Sequence, residues 1–158
     1  MTTNTRDYRA SVLIYREDMY QLDNAQQGMW NVILSGEDAS GLATTINGAS
    51  QIMKRLFGWN ILGTAAGLIS AMINFGTRID AAEKTIVLNL IRDGYAVIDT
   101  IQAYFNRYPS YEAIQVNLSF LEDRMNPSWR AILCDNMMED IDTFETEKIL
   151  VNGTWLEP

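Results

Sequence analysis

An uncharged segment of 22 residues, from position 56 to position 77, most constrains what this chain can fold into. Arg55 and Arg78 bound it, and at about 1.5 Å of rise per residue a helix of this length could cross a lipid hydrocarbon core. Four glycines, two asparagines and a serine make insertion into a bilayer unfavourable, however. The sequence therefore favours a closely packed central helix, with membrane insertion of residues 56–77 as the alternative.

Small residues recur at a spacing of four within this segment, at Gly63, Gly67 and Ala71. Because residues four apart share one face of a helix, this pattern predicts a surface where a second helix can approach closely. We expect this face to contact either another helix of the protein or a helix within a membrane.

The segment before it, residues 6–35, has apolar positions that alternate at spacings of four and three, as in a helix packed along another helix. The pattern comprises Tyr8, Val12, Tyr15, Met19, Leu22, Gln26, Met29 and Ile33, of which only Gln26 is polar. It predicts one amphipathic helix. The alternative is a short strand over Ala10–Tyr15, where β-branched and aromatic residues are concentrated.

The remainder of the chain predicts more helices and a short tail. Residues 39–77 form a Gly/Ala-rich segment that is uncharged apart from Lys54 and Arg55, and residues 79–147 predict three amphipathic helices separated at Pro109 and Pro127. In residues 148–158, Asn152-Gly153 between apolar triplets is a hairpin signal. We therefore predict an all-α single domain over residues 1–158. It would be a bundle of four or five helices around the central Gly/Ala-rich helix, with a C-terminal hairpin or extended tail.

Composition excludes several classes of function. The net charge of −8 opposes binding to nucleic acid, which requires clustered Lys and Arg. The chain has no histidine, its one cysteine is Cys134, and it has neither a P-loop nor a dinucleotide-binding motif. We therefore predict that it is not an enzyme, and we identify no catalytic residue, cofactor site, metal site or small-molecule substrate.

Two surface features suggest protein partners. Acidic residues between Asp135 and Glu147 predict a solvated helix face that could dock on a basic partner. Aromatic residues near the proline turns and the tail are of the types enriched at protein interfaces, and we predict that Tyr108, Tyr111, Trp129 and Trp155 take part in self-association.

The layout of amphipathic helices around a Gly/Ala-rich apolar segment resembles, in general terms, two groups of proteins. One is small helical pore-forming or holin-like proteins, and the other is subunits of viral or phage particles. The first resemblance implies membrane insertion and the second implies assembly by helix packing. No sequence motif supports either resemblance, so neither implies a role for a particular residue of this chain.

Our first hypothesis is a non-catalytic, self-assembling structural protein that forms a homo-oligomer or larger assembly. The alternatives are a membrane-active protein that inserts residues 56–77 and an acidic binding or inhibitor protein. The N-terminal residues lack a signal-peptide pattern, so we expect cytoplasmic synthesis, with later incorporation in a particle or a membrane left open.

Overall fold

The computed structural model describes residues 4–37, 39–48, 56–57, 65–134 and 146–158. Over these residues the chain forms four helices and a five-stranded antiparallel sheet, so the all-α prediction is wrong. In chain order the elements are β1 (Thr5–Tyr15), α1 (Met19–Ser35), α2 (Ala39–Gly48), α3 (Ala65–Arg78), α4 (Ala81–Arg107), β2 (Tyr111–Asp123), β3 (Arg130–Leu133), β4 (Thr146–Val151) and β5 (Thr154–Leu156). A single 3₁₀ turn, Arg16–Asp18, joins β1 to α1.

The helix predicted over residues 6–35 is in fact a strand followed by a helix. Residues 5–15 form β1, which pairs with β2 so that Thr5 lies opposite Asp123. Tyr8 and Val12 fit both interpretations, because residues four apart share a face in a strand as well as in a helix. The alternative prediction, a strand over Ala10–Tyr15, is confirmed, and these residues are the second half of β1.

The helix predicted after Pro109 is also wrong, because this stretch forms β2. One face of the strand is buried at every second residue rather than along a helical stripe, at Ile114, Val116, Leu118 and Phe120. Towards its end both faces are buried, since Leu121 is also inaccessible to solvent. The helix predicted to begin near Trp129 is replaced by β3 over Arg130–Leu133, and residues 135–145 lie outside the described part of the chain. Long strands form here because β-branched and aromatic residues pack well on a pleated surface.

β2 is the central strand of the sheet. β1 covers one of its edges along its whole length, while β4 and β3 share the other edge. β4 pairs with the half of β2 near Tyr111, and β3 pairs with the half near Asp123. β5 extends the sheet beyond β4 through a two-residue turn at Asn152 and Gly153, whose φ angles of 50° and 76° are those of a tight hairpin.

α4 has the amphipathic pattern that the sequence shows between positions 79 and 108. It begins after Asp80, whose carboxylate accepts a hydrogen bond from the Glu83 N–H at 2.8 Å, and it ends at Arg107, two residues before Pro109. Its buried face consists of Val87, Leu88, Ile91, Gly94, Val97, Ile98, Ile101 and Phe105. This face and the buried face of α1 contribute to one continuous hydrophobic core with the sheet.

The central uncharged segment contributes core residues rather than a separate layer. Leu56 and Phe57 are completely buried, and α3 buries Met72 and Phe75. α3 lies so close to α1 that a Cβ added at Gly76 would clash with the carbonyl oxygen of Ile33.

Candidate functional site

The predicted small-residue face lies only partly within the described chain. Gly63 lies outside the described residues, Gly67 is on the exposed side of α3, and Ala71 is half-buried. Elsewhere in the described ranges, neighbouring backbone leaves no room for a Cβ at Gly76 and at Gly94. A role for Gly67 in binding another protein stays a prediction.

In the described ranges, no helix combines the length and the apolar character needed to cross a membrane.

Trp129, one of the four aromatic residues predicted to mediate self-association, is a core residue. It is 1% exposed, and its ring lies edge-on to Phe75 with centroids 5.2 Å apart. A second copy of the chain cannot reach a side chain that is this deeply buried.

Tyr108 and Tyr111 lie together where α4 connects to β2. Their rings are stacked, with centroids 4.7 Å apart and an interplanar angle of 10°, and Tyr104 packs edge-on against Tyr108 with centroids 5.1 Å apart. Burial raises the pKa of Tyr104, and the neighbouring tyrosines add to this effect. The tyrosine cluster (Tyr104, Tyr108 and Tyr111) is therefore a rigid, partly exposed aromatic surface.

Trp155 is the predicted residue that lies best for contact with another protein. It is in β5, the last strand of the sheet, where Trp155 is 41% exposed and the adjacent Leu156 is 46% exposed. We call residues Thr154, Trp155 and Leu156 the hairpin edge. Apolar side chains on a terminal strand combine hydrophobic area with unpaired backbone groups, which is the arrangement that another strand can bind.

A shallow cavity of about 420 Å³ adjoins Trp155, lined also by Gln115, Glu147 and Lys148. The Gln115 amide donates to the Ser11 hydroxyl at 2.6 Å, and this hydroxyl donates to the Glu147 carboxylate at 3.0 Å. The cavity therefore combines an aromatic wall with polar side chains that are held in place by hydrogen bonds across three strands.

Sequence reasoning identified Trp155 and included Glu147 in the acidic stretch, but it missed Leu156, Gln115 and Lys148. The Asn152-Gly153 signal indicated a hairpin, with an extended tail as the alternative, and the structure has the β4–β5 hairpin. Nothing local indicated that β4 would pair with β2, because Gln115 and Lys148 are far apart in the chain yet lie opposite each other.

The other predicted features are only partly described. The acidic stretch falls mostly on residues 135–145, outside the described residues, and its last member, Glu147, lies on β4. Over the described ranges no group of three or more Cys, Asp or Glu side chains is arranged to hold a metal ion.

Comparison with protein-family models, with curated proteins and with solved structures finds no match to this chain.

Proposed function

We propose that this chain is a non-catalytic protein that self-associates, with two copies joined through the hairpin edge. The observation that supports this proposal is the exposure of Trp155 and Leu156 on the outermost strand of the sheet. Tryptophan at the centre of a contact is among the residues that contribute most to protein binding.

The register of the hairpin determines which backbone groups are available. Val151 lies opposite Thr154 beside the two-residue turn, and Leu150 lies opposite Trp155. In such a hairpin the pair next to the turn exchanges hydrogen bonds and the following pair does not. The N–H and C=O of Trp155 therefore point away from β4, towards the open side of the sheet.

The hairpin edge of a second copy can form hydrogen bonds with the unpaired backbone groups of the first. Two β5 strands placed antiparallel about a two-fold axis at Trp155 would exchange two backbone hydrogen bonds and bring the two indole rings together. The hairpin edge carries no charge, so the two copies do not repel each other there. Lys148 and Glu147 beside it present opposite charges, which suits a surface that must complement itself.

Sedimentation equilibrium over a concentration series tests the proposal. We expect the wild-type protein to form a dimer and Trp155→Ser to be monomeric at the same concentrations. Tyr20→Ser is the matched control, because Tyr20 is 74% exposed on α1, away from the sheet edge, and its loss should leave the dimer intact. A monomeric wild-type protein, or equal dissociation of both variants, would contradict the proposal.

A further inference from the structure

A second surface, distinct from the hairpin edge, lies between the 3₁₀ turn and the turn that joins α4 to β2. It is a groove of about 470 Å³. Its lining residues are Tyr15, Arg16, Glu17, Pro109, Tyr111 and Glu112. Two tyrosines and a proline provide its apolar surface, and two glutamates provide carboxylates. We call it the tyrosine groove.

The walls of the tyrosine groove are held rigidly by Arg16. Its guanidinium donates to the carbonyl oxygens of Phe105 at 2.8 Å, Tyr108 at 2.8 Å and Tyr111 at 2.7 Å. These bonds join the start of α1 to the end of α4 and the start of β2. Because the groove is preformed, a ligand would not have to order it on binding.

Aromatic packing supports the same wall from behind. The ring of Tyr111 stacks on Tyr108 and lies 5.6 Å from the ring of Tyr104. The Arg107 guanidinium lies 5.6 Å from the centroid of Tyr108. The Tyr111 ring, stacked on Tyr108, is therefore fixed in place and contributes aromatic surface to the wall of the groove.

The charge that the groove offers to a ligand is negative. Glu17 and Glu112 are exposed, and neither has an ion-pair partner among the residues that the structure describes. Arg16 directs its guanidinium to backbone carbonyls, where it neutralises the negative end of α4 rather than the two carboxylates. A basic ligand therefore meets two unneutralised acids.

We propose that the tyrosine groove binds a proline-rich peptide segment that carries arginine or lysine beside its prolines. Proline rings pack on flat aromatic side chains, and an extended polyproline helix is already ordered in solution, so it loses little entropy on binding. The basic side chains pair with Glu17 and Glu112. The chain's net charge of −8 adds long-range attraction for such a ligand.

Fluorescence anisotropy with a labelled peptide tests this proposal. The probe is the synthetic peptide Arg-Pro-Leu-Pro-Pro-Leu-Pro-Arg, titrated with the 158-residue chain at low salt. We expect saturable binding that weakens when salt is added, because both charges are exposed. The same peptide with alanine in place of every proline should bind at least about 10-fold more weakly, since it must be ordered on binding.

Variants of the protein locate the site. Glu17→Gln and Glu112→Gln keep side-chain size at exposed positions, so we expect both to fold normally. Each should weaken binding about 3-fold and the double variant about 10-fold. Glu37→Gln, which removes the same charge from an exposed position at the end of α1, should bind like the wild type.

The proposal is overturned if the proline peptide shows no saturable binding below about 1 mM, where its binding free energy would be only about 4 kcal/mol. It is also overturned if the alanine peptide binds equally well, which would indicate attraction by charge alone, or if Glu37→Gln weakens binding as much as Glu17→Gln does. Trp155→Ser should retain the full affinity for the peptide, so this result is independent of self-association.

Discussion

Gln26 of α1 uses both ends of its side-chain amide to bind the backbone of Ile132 in β3. The Gln26 Oε1 accepts from the Ile132 N–H at 3.1 Å, and its Nε2 donates to the Ile132 carbonyl at 3.0 Å. Nε2 also donates to the carbonyl of Ile91 in α4 at 3.0 Å. A buried amide thus takes the place that a further strand would occupy at the outer edge of β3, and it joins two helices to the sheet.

Replacing Gln26 with methionine should lower the free energy of unfolding by about 3 kcal/mol. The variant keeps most of the side-chain volume but leaves buried N–H and C=O groups of Ile132 without partners. Urea denaturation measures the change. Gln27→Met is the control at an exposed neighbouring position and should alter stability by less than about 0.5 kcal/mol. Equal effects of the two variants would show that the amide contributes nothing specific.

Gly94→Ala should destabilise the protein by about 2 to 4 kcal/mol. An added Cβ would clash with the Ile132 carbonyl oxygen and would come within 2.7 Å of the Gln26 Nε2, so α4 would have to move away from β3. Gly48→Ala is the matched control, because nothing lies within 4 Å of a Cβ there. We expect it to be neutral or slightly stabilising in thermal unfolding, and a loss at Gly48 equal to that at Gly94 would contradict this account.

Arg78→Met should lower stability by about 2 to 3 kcal/mol, since it leaves the fully buried carboxylate of Asp123 without its cation. The Arg78 Nη2 lies 2.6 Å from the Asp123 Oδ1, and one-third of the arginine side chain is exposed, which moderates the expected loss. Chemical denaturation measures it, with Arg92→Met at an exposed site on α4 as the control.

A double variant separates the buried charge from lost packing at this pair. Arg78→Met/Asp123→Leu removes both charges, so it should recover part of the stability that Arg78→Met loses. If the double variant is less stable than either single variant, the unpaired charge is not the cause of the loss.

Asp23→Asn should slightly stabilise the protein at neutral pH, by about 0.5 kcal/mol or less. Burial and the negative charge of Asp99 raise the pKa of Asp23. The folded state therefore binds this proton more tightly than the unfolded chain does. The stability linked to it is fully present below the ordinary aspartate pKa and is lost as the pH rises through the raised pKa.

Thermal unfolding at about pH 7 and about pH 4 tests this linkage. The advantage of Asp23→Asn over the wild type should shrink at the lower pH, where the wild-type carboxyl takes up its proton. Asp23→Asn should also lower the pKa of Tyr95, which burial and, to a smaller extent, the charge of Asp23 raise to about 12.

Local signals predicted the helix between positions 79 and 108 and the hairpin at Asn152-Gly153, because each is specified by residues that are neighbours in the chain. The amphipathic pattern and Pro109 are sufficient to place the helix. The hairpin is indicated by Asn152 and Gly153, which readily adopt the left-handed conformations that its turn requires. Trp155 and Tyr111, which lie at the two surfaces proposed for binding, were singled out by residue type and by their positions near the tail and Pro109.

The sheet could not be derived in the same way. Ile114 and Leu118 are four residues apart, and this spacing lies on one face of a helix and of a strand alike, so periodicity did not separate the two structures. The decision required Val116 and Phe120 to be recognised as members of the same face. That face is buried by packing against residues distant in the chain, in a sheet whose β1 pairs with β2 across more than 90 intervening residues.

By itself, the sequence determined α4, whose hydrogen bonds and apolar face are complete within one segment, and it indicated the terminal hairpin without excluding an extended tail. Only the tertiary structure decided that Tyr8–Tyr15 is a strand, that Trp129 is buried and that Gln26 binds the edge of β3. The physical reason is that the backbone groups of a strand form hydrogen bonds with a partner that is distant in the chain. The residues of one strand therefore do not determine by themselves whether that strand forms.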